Sequence, residues 1–297
     1  MGNLYFETLT DLSEAQAEGG EEKDRTYLNN LIGRAYAQIY RKPGARLFDL
    51  FSFFLLEFPA LIRKRVHFII GAMLIFSFSA MIGFLCLHTD SKLLGLVVPE
   101  HLKLRIESEL AHGKVGAEFP DSLKFSISSY IMFHNIEISF LAFATGLLLG
   151  AGTIYLLITN GLFLGGLASV FHSKGYALQF WALIVPHGGL EFICIFIASG
   201  AGLILGYSLL NPGPYKRRDW FFHESMDSVK MVMGAFPLFI FAALIETYIT
   251  PTSIHPVLKF LFSFVVILVT LFYFLIPPSF SKYLEKLDRI EIFDSPS

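Results

Sequence analysis

FWALIVPHGGLEFICIFIASGAGLILG, from Phe180 to Gly206, is apolar for long enough to cross a bilayer, yet it holds Pro186, His187 and Glu191. About 20 apolar residues suffice to span the hydrocarbon. A proline, an imidazole and a carboxylate are expensive there, because hydrocarbon solvates neither a freed carbonyl nor an ion. An ionised Asp or Lys at a helix centre costs about 2.5 to 3.5 kcal/mol on insertion scales. The stretch therefore predicts a membrane helix and marks the point on it where something must compensate.

The rest of the chain agrees. Of its 297 residues, 54% are hydrophobic and only 16% charged, where a soluble domain carries about 25% charge. The expected fold is all-α, a polytopic membrane helical bundle of about six spans, near 67–88, 128–150, 153–172, 178–209, 229–250 and 256–277. Those spans make residues 67–277 the transmembrane domain, with an external segment at 89–127 and a cytoplasmic tail at 278–297. Residues 1–25 read as a disordered or tag-like N-terminus with no cleavable signal peptide, so the first span is the insertion signal. Residues 26–66 read as cytoplasmic amphipathic and interfacial helices: Leu28, Leu31, Ile32, Ala35 and Ile39 recur at helical spacing. The Phe- and Leu-rich stretch to Ile62 is interrupted by Asp49, Glu57 and Pro59 and should lie along the membrane surface.

Basic residues orient the bundle. Arg63, Lys64 and Arg65 precede span one, Lys216, Arg217 and Arg218 follow span four, and Lys282, Lys286 and Arg289 follow span six. Six spans put all three groups on one face, which makes both termini cytoplasmic by the positive-inside rule. A net charge of −2 points to no nucleic-acid partner. Cys86 and Cys194 fall in spans, where small packing residues are expected rather than a disulfide. In the external segment, Pro99 and Glu100 suit a helix start, and His88, His101 and His112 read as solvated. Gly146 and Gly150, Gly161 and Gly165, and Gly202 and Gly206 have the spacing that lets helix backbones approach, within one protomer or across a homo-oligomer seam.

A helical rise of about 1.5 Å per residue sets the expected depths. His134, Asn135, Pro186, His187, Glu191 and Glu246 fall in the outer half of the bilayer, with Asn160 near the midplane. His187 and Glu191 are four apart and share a helix face. Pro186 removes the donor for the carbonyl of Ala182, and Gly188 and Gly189 follow at once, so a broken helix at Pro186 is expected. Pro237 gives span five a similar weak point.

These residues admit two readings. Neutral Glu191 and Glu246 can bond to His134, Asn135 or Asn160 and hold helices together, at about 0.6 to 2 kcal/mol each. Alternatively the set forms an outward-facing pocket for a ligand or proton. His134, His187, Glu191 and Glu246 are also normal ligands for Zn²⁺ or a related divalent metal. No His-Glu-x-x-His run, Gly-x-Ser-x-Gly elbow or Walker loop is present, and the sequence does not point to an enzyme.

WALIVPHGGLEFICIFIASGAGLILG resembles the Pro-His-Gly-x-x-Glu signature block of the stage II sporulation protein M family of bacterial membrane proteins. FHNIEISFLAFATGLLLGAGTIYLLITNGLFLGGLAS (Phe133 to Ser169) resembles the preceding block, and FAALIETYITP (Phe241 to Pro251) the following one. TYLNNLIGRAYAQIY (Thr26 to Tyr40) is similar to the family's amphipathic N-terminal helix. Two departures stand out: Met1 to Lys23 does not resemble the family's opening helix, and Ser199 replaces a small apolar residue. The resemblance implies a multi-pass protein of the bacterial cytoplasmic membrane. Its name-giving members act with peptidoglycan-degrading partners, which implies a non-catalytic membrane component of cell-envelope remodelling. A transporter or channel using His187 and Glu191 as an ion or proton relay is the first alternative, and an intramembrane metal-dependent hydrolase the second.

Overall fold

The computed structural model describes residues 47–89, 95, 134–212, 216–249, 252 and 254–275. The tag-like and amphipathic readings of residues 1–46, most of the external segment with His101 and His112, the start of span two, and the tail lie outside them. A short helix α1 (Leu47–Ser52) belongs to a separate unit ending at Ser52, with Leu50 and Phe51 exposed. The second unit continues with a π-helical turn (Phe53–Glu57), α2 (Phe58–Lys64) and α3 (Val66–Thr89). It goes on through α4 at 134–144, a 3₁₀ turn (Thr145–Leu147) and α5 (Ala151–Ser173). It closes with α6 (Ala177–Leu210), α7 (Arg217–Tyr248) and α8 (Pro256–Phe274). Among the described residues there is no strand, and α3, α5, α6, α7 and α8 are long and apolar enough to cross a membrane.

α6 is the axis of the bundle. Its run Ile197–Gly202 is buried at every position, so the helix is enclosed on all sides rather than on one stripe. Small residues make that enclosure possible. Gly200 lies against the backbone of Ile69 on α3, and Gly202 against the carbonyl of Ala142 on α4. Gly146 faces Gly202 and Gly150 faces Gly206, so α4 runs parallel to α6 with backbones in contact. Gly161 and Gly165 take the same role against Phe76 and Ala80 of α3. The glycine pairs are thus used within one chain.

The turn between α4 and α5 is tight. Leu149 and Gly150 both have positive φ, 56° and 83°, and glycine takes that conformation without strain. Thr153 then donates its hydroxyl to the carbonyl of Ala142 at 2.6 Å and ties the two helices together.

At the end of the bundle where α3 begins, the non-spanning helix α2 packs into the base. Phe58 is fully buried against Tyr273 and Phe274, and its ring occupies the slot left by Gly234. Arg63 Nη1 donates to the carbonyl of Phe274 at 2.7 Å, serving one of the orphan carbonyls at the end of α8. Tyr273 donates its hydroxyl to the carbonyl of Phe54. The chain therefore enters α3 and leaves α8 at the same end, which is also the basic end.

The break expected at Pro186 is absent: α6 is continuous from Ala177 to Leu210, and α7 likewise passes through Pro237. Packing supplies the reason. Pro186 is wholly buried, and Ser263 of α8 donates its hydroxyl to the neighbouring carbonyl of Val185 at 2.7 Å. Gly189 gives room to Ile267 and Ser263, where an added Cβ would come within 2.6 Å of Ile267. The glycine after the Pro-His pair seats α8 rather than unwinding α6. The nearest neighbours of Gly188 are Ile184 and Phe192 of its own helix.

Candidate intramembrane polar site

Two parallel helices bring Asn135 and Glu191 together. The Gly146–Gly202 and Gly150–Gly206 approaches fix the register of α4 on α6, and the same offset carried up the helices sets Asn135 beside Glu191. Asn135 Nδ2 donates to Glu191 Oε2 at 2.7 Å, and Glu191 is only 6% exposed. Glu191 lies fourteen residues into the 34-residue α6, roughly 21 Å from its start at 1.5 Å per residue. That is near mid-height of the bundle.

Asn135 also lines a pocket of about 200 Å³ between α4, α5, α6 and α3. His134 and Asn160 share its wall, as do Phe76, Phe163, Phe192 and Ser199. His134 is exposed and Asn135 and Asn160 are half-buried, whereas Ser199 is fully buried. Three residues of the expected constellation, His134, Asn135 and Asn160, are therefore on one cavity, with Glu191 attached to it through Asn135. Glu246 is buried on α7 and its Oε2 has no hydrogen-bond partner among the described residues. His187 is half-buried, one turn from Glu191 on α6, and outside the pocket wall.

The donor set considered for a metal does not assemble. No three of His134, His187, Glu191 and Glu246 bring ligand atoms within 4.8 Å of one another. Among the described residues, the group that does is His223, Glu224 and Asp227, at the basic end. Its carboxylates are already engaged: Arg65 reaches Glu224 at 2.5 Å and Asp227 at 2.8 Å, and Lys64 reaches Asp227 at 2.9 Å. Burial alone would lower the Arg65 pKa, but the hydrogen bonds to Asp227 and Glu224 outweigh it and raise the value above the ordinary one. This cluster is an ion-pair network locking α7 to the α2–α3 junction. Sequence reasoning missed it; two carboxylates three apart at the start of α7 were the available signal, but Arg65 is 159 residues from Glu224.

Residues 72–251 match the family model described as stage II sporulation protein M. The chain belongs to that family. The span matched to the sporulation protein M family contains Asn135, Glu191 and Glu246. Residues 1–41 match a second model, described as a domain of unknown function, DUF8413. The chain is also similar to the uncharacterized protein MJ0793 of Methanocaldococcus jannaschii, 26% identical over 185 residues, covering 62% of this chain and 93% of that protein. No solved structure matches.

Proposed function

We propose that this sporulation protein M family member is a non-catalytic membrane component of cell-envelope remodelling, and that its intramembrane polar pocket receives a small ligand or a partner segment. The observation carrying this reading is the Asn135–Glu191 pair. A carboxylate at mid-height of a membrane bundle, compensated by one neutral amide at 2.7 Å, is a costly arrangement for structure alone. On this reading the basic end faces the cytoplasm, as the positive-inside rule requires, and the partners are cell-wall remodelling proteins.

The relay and hydrolase readings draw less support. Below Glu191 a relay needs Thr159 and Asn160, yet both bond to carbonyls of their own helix, Thr159 to Tyr155 at 3.0 Å and Asn160 to Leu156 at 2.8 Å. A hydrolase needs the donor set to gather, and it does not. The deciding experiment is complementation of a deletion strain with Glu191→Gln and His187→Ala. Each variant should reach the membrane at the normal level and fail to restore envelope morphology. Full restoration by both would overturn the reading.

A further inference from the structure

Ser199 gives the pocket a property that the Asn135–Glu191 pair does not explain. It is wholly buried, it lines the cavity, and its Oγ has no hydrogen-bond partner among the described residues. Among the described residues, Ser139 and Ser228 are also buried without a partner, but of the three only Ser199 lines the cavity. Other serines of these helices turn their hydroxyls back onto their own backbone. Ser79 bonds to the carbonyl of Ile75 at 2.8 Å, Ser173 to Val170 at 2.9 Å and Ser208 to Leu205 at 2.7 Å. That bond is available to almost any helical serine, and a buried unpaired hydroxyl is unfavourable. A serine that forgoes it on a cavity wall points to a partner inside the cavity.

The wall restricts what that partner is. Among the described residues it carries no Lys, Arg, Asp or Glu: its polar groups are Asn135, Asn160, Ser199 and His134, and the remainder is apolar. A phosphate or carboxylate would meet no fixed cation, and a metal ion no carboxylate. The volume, about 200 Å³, is below the roughly 300 to 1,000 Å³ of sites for drug-sized molecules. The floor, with Ser199 and Leu157, is buried, while the rim at His134 and Asn160 is partly exposed. Leu141 and Ile158, sequence neighbours of the lining residues Ala142 and Leu157, are exposed. With the bundle read as membrane-embedded, the cavity then opens toward hydrocarbon.

We propose that this pocket takes the hydroxyl end of an uncharged single-chain lipid alcohol, with Ser199 Oγ and the side-chain oxygen of Asn160, whose Nδ2 is held by Leu156, bonding the hydroxyl and the chain leaving between α4 and α5 into the bilayer. This rests on the reading of the pocket as a ligand site and names the ligand class.

The test uses the full chain in lipid nanodiscs with two photoactivatable probes, diazirine-bearing hexadecanol and diazirine-bearing hexadecyl phosphate, followed by peptide mapping. The alcohol should label the Phe163 and Phe192 segments about tenfold more than the phosphate does. Ser199→Ala and Asn160→Leu, checked for unchanged thermal unfolding, should each cut that labelling by about fivefold to tenfold. Equal labelling by both probes, labelling spread over lipid-facing helices such as α8, or labelling indifferent to both variants would overturn the proposal. So would a pocket holding only water, which gives no label there. Failure of labelling with Glu191→Gln still inactive in cells removes this ligand and leaves the functional reading standing. Specific labelling with Glu191→Gln fully active does the reverse.

Discussion

Glu191 and Glu224 are both buried carboxylates, at 6% and 3% exposure, and they are held in opposite ways. Glu224 sits at the basic end, answered by the Arg65 guanidinium, which also takes Asp227. Glu191 sits at mid-height and is answered by the side-chain amide of Asn135. Charge meets charge in the first case, and the geometry accounts for the residues without invoking a function. In the second, a neutral amide only partly offsets the burial of an acid. On the proposed reading, the difference separates a structural clamp from a site kept for use.

Removing the cation is the harshest way to test the clamp. Arg65→Ala should destabilise the protein by about 3 kcal/mol, the low end for breaking a buried pair, measured by thermal unfolding in detergent. A loss below about 1 kcal/mol would put this network among ordinary surface ion pairs. Gly202→Val attacks the backbone contact that sets the register of Asn135 on Glu191. Overpacking there should cost about 1 to 3 kcal/mol and abolish function even though no polar group changes.

At the site itself, Asn135→Leu should cost about 1 to 3 kcal/mol by stranding Glu191. The double variant Asn135→Leu/Glu191→Leu should recover most of that stability, within about 1 kcal/mol of the parent, yet remain inactive in cells. A double variant that stays as unstable as the single one would mean that the pair is architectural after all. The smallest effect belongs to Lys230→Ala. Its 3.2 Å pair with Glu57 has both side chains about half exposed, so a change of about 0 to 1 kcal/mol is expected.

Hydrophobic length made most of the bundle readable. The spans expected at 67–88, 153–172 and 178–209 fall on α3, α5 and α6 within a few residues. The helix that carries the span expected at 229–250 begins earlier, at Arg217: its first turns are polar and held by Lys64 and Arg65, a tertiary contact that hydropathy does not register. Pro186 misled for a related reason. The local rule says that proline breaks a helix, but α8 packs over the weak point through Ser263 and Ile267. At the site, the polar residue types were legible and the pairing was not, since spacing alone chose none of the several acceptors open to Asn135. Ser199 read as a minor departure until the cavity beside it was visible.

The 56-position separation of Asn135 and Glu191 also sets an order of events. A chain made from its N-terminus threads α4 and α5 into the bilayer before α6 has been synthesised. During that interval the Asn135 amide has no Glu191 to meet, and the glycine faces of α4 have no helix to receive them. The half-built bundle is then a polar, sticky hairpin in hydrocarbon. Its residence time depends on how fast the ribosome delivers α6 through Gly206, so slow codons across and just after that stretch should raise degradation of the nascent protein more than slow codons elsewhere.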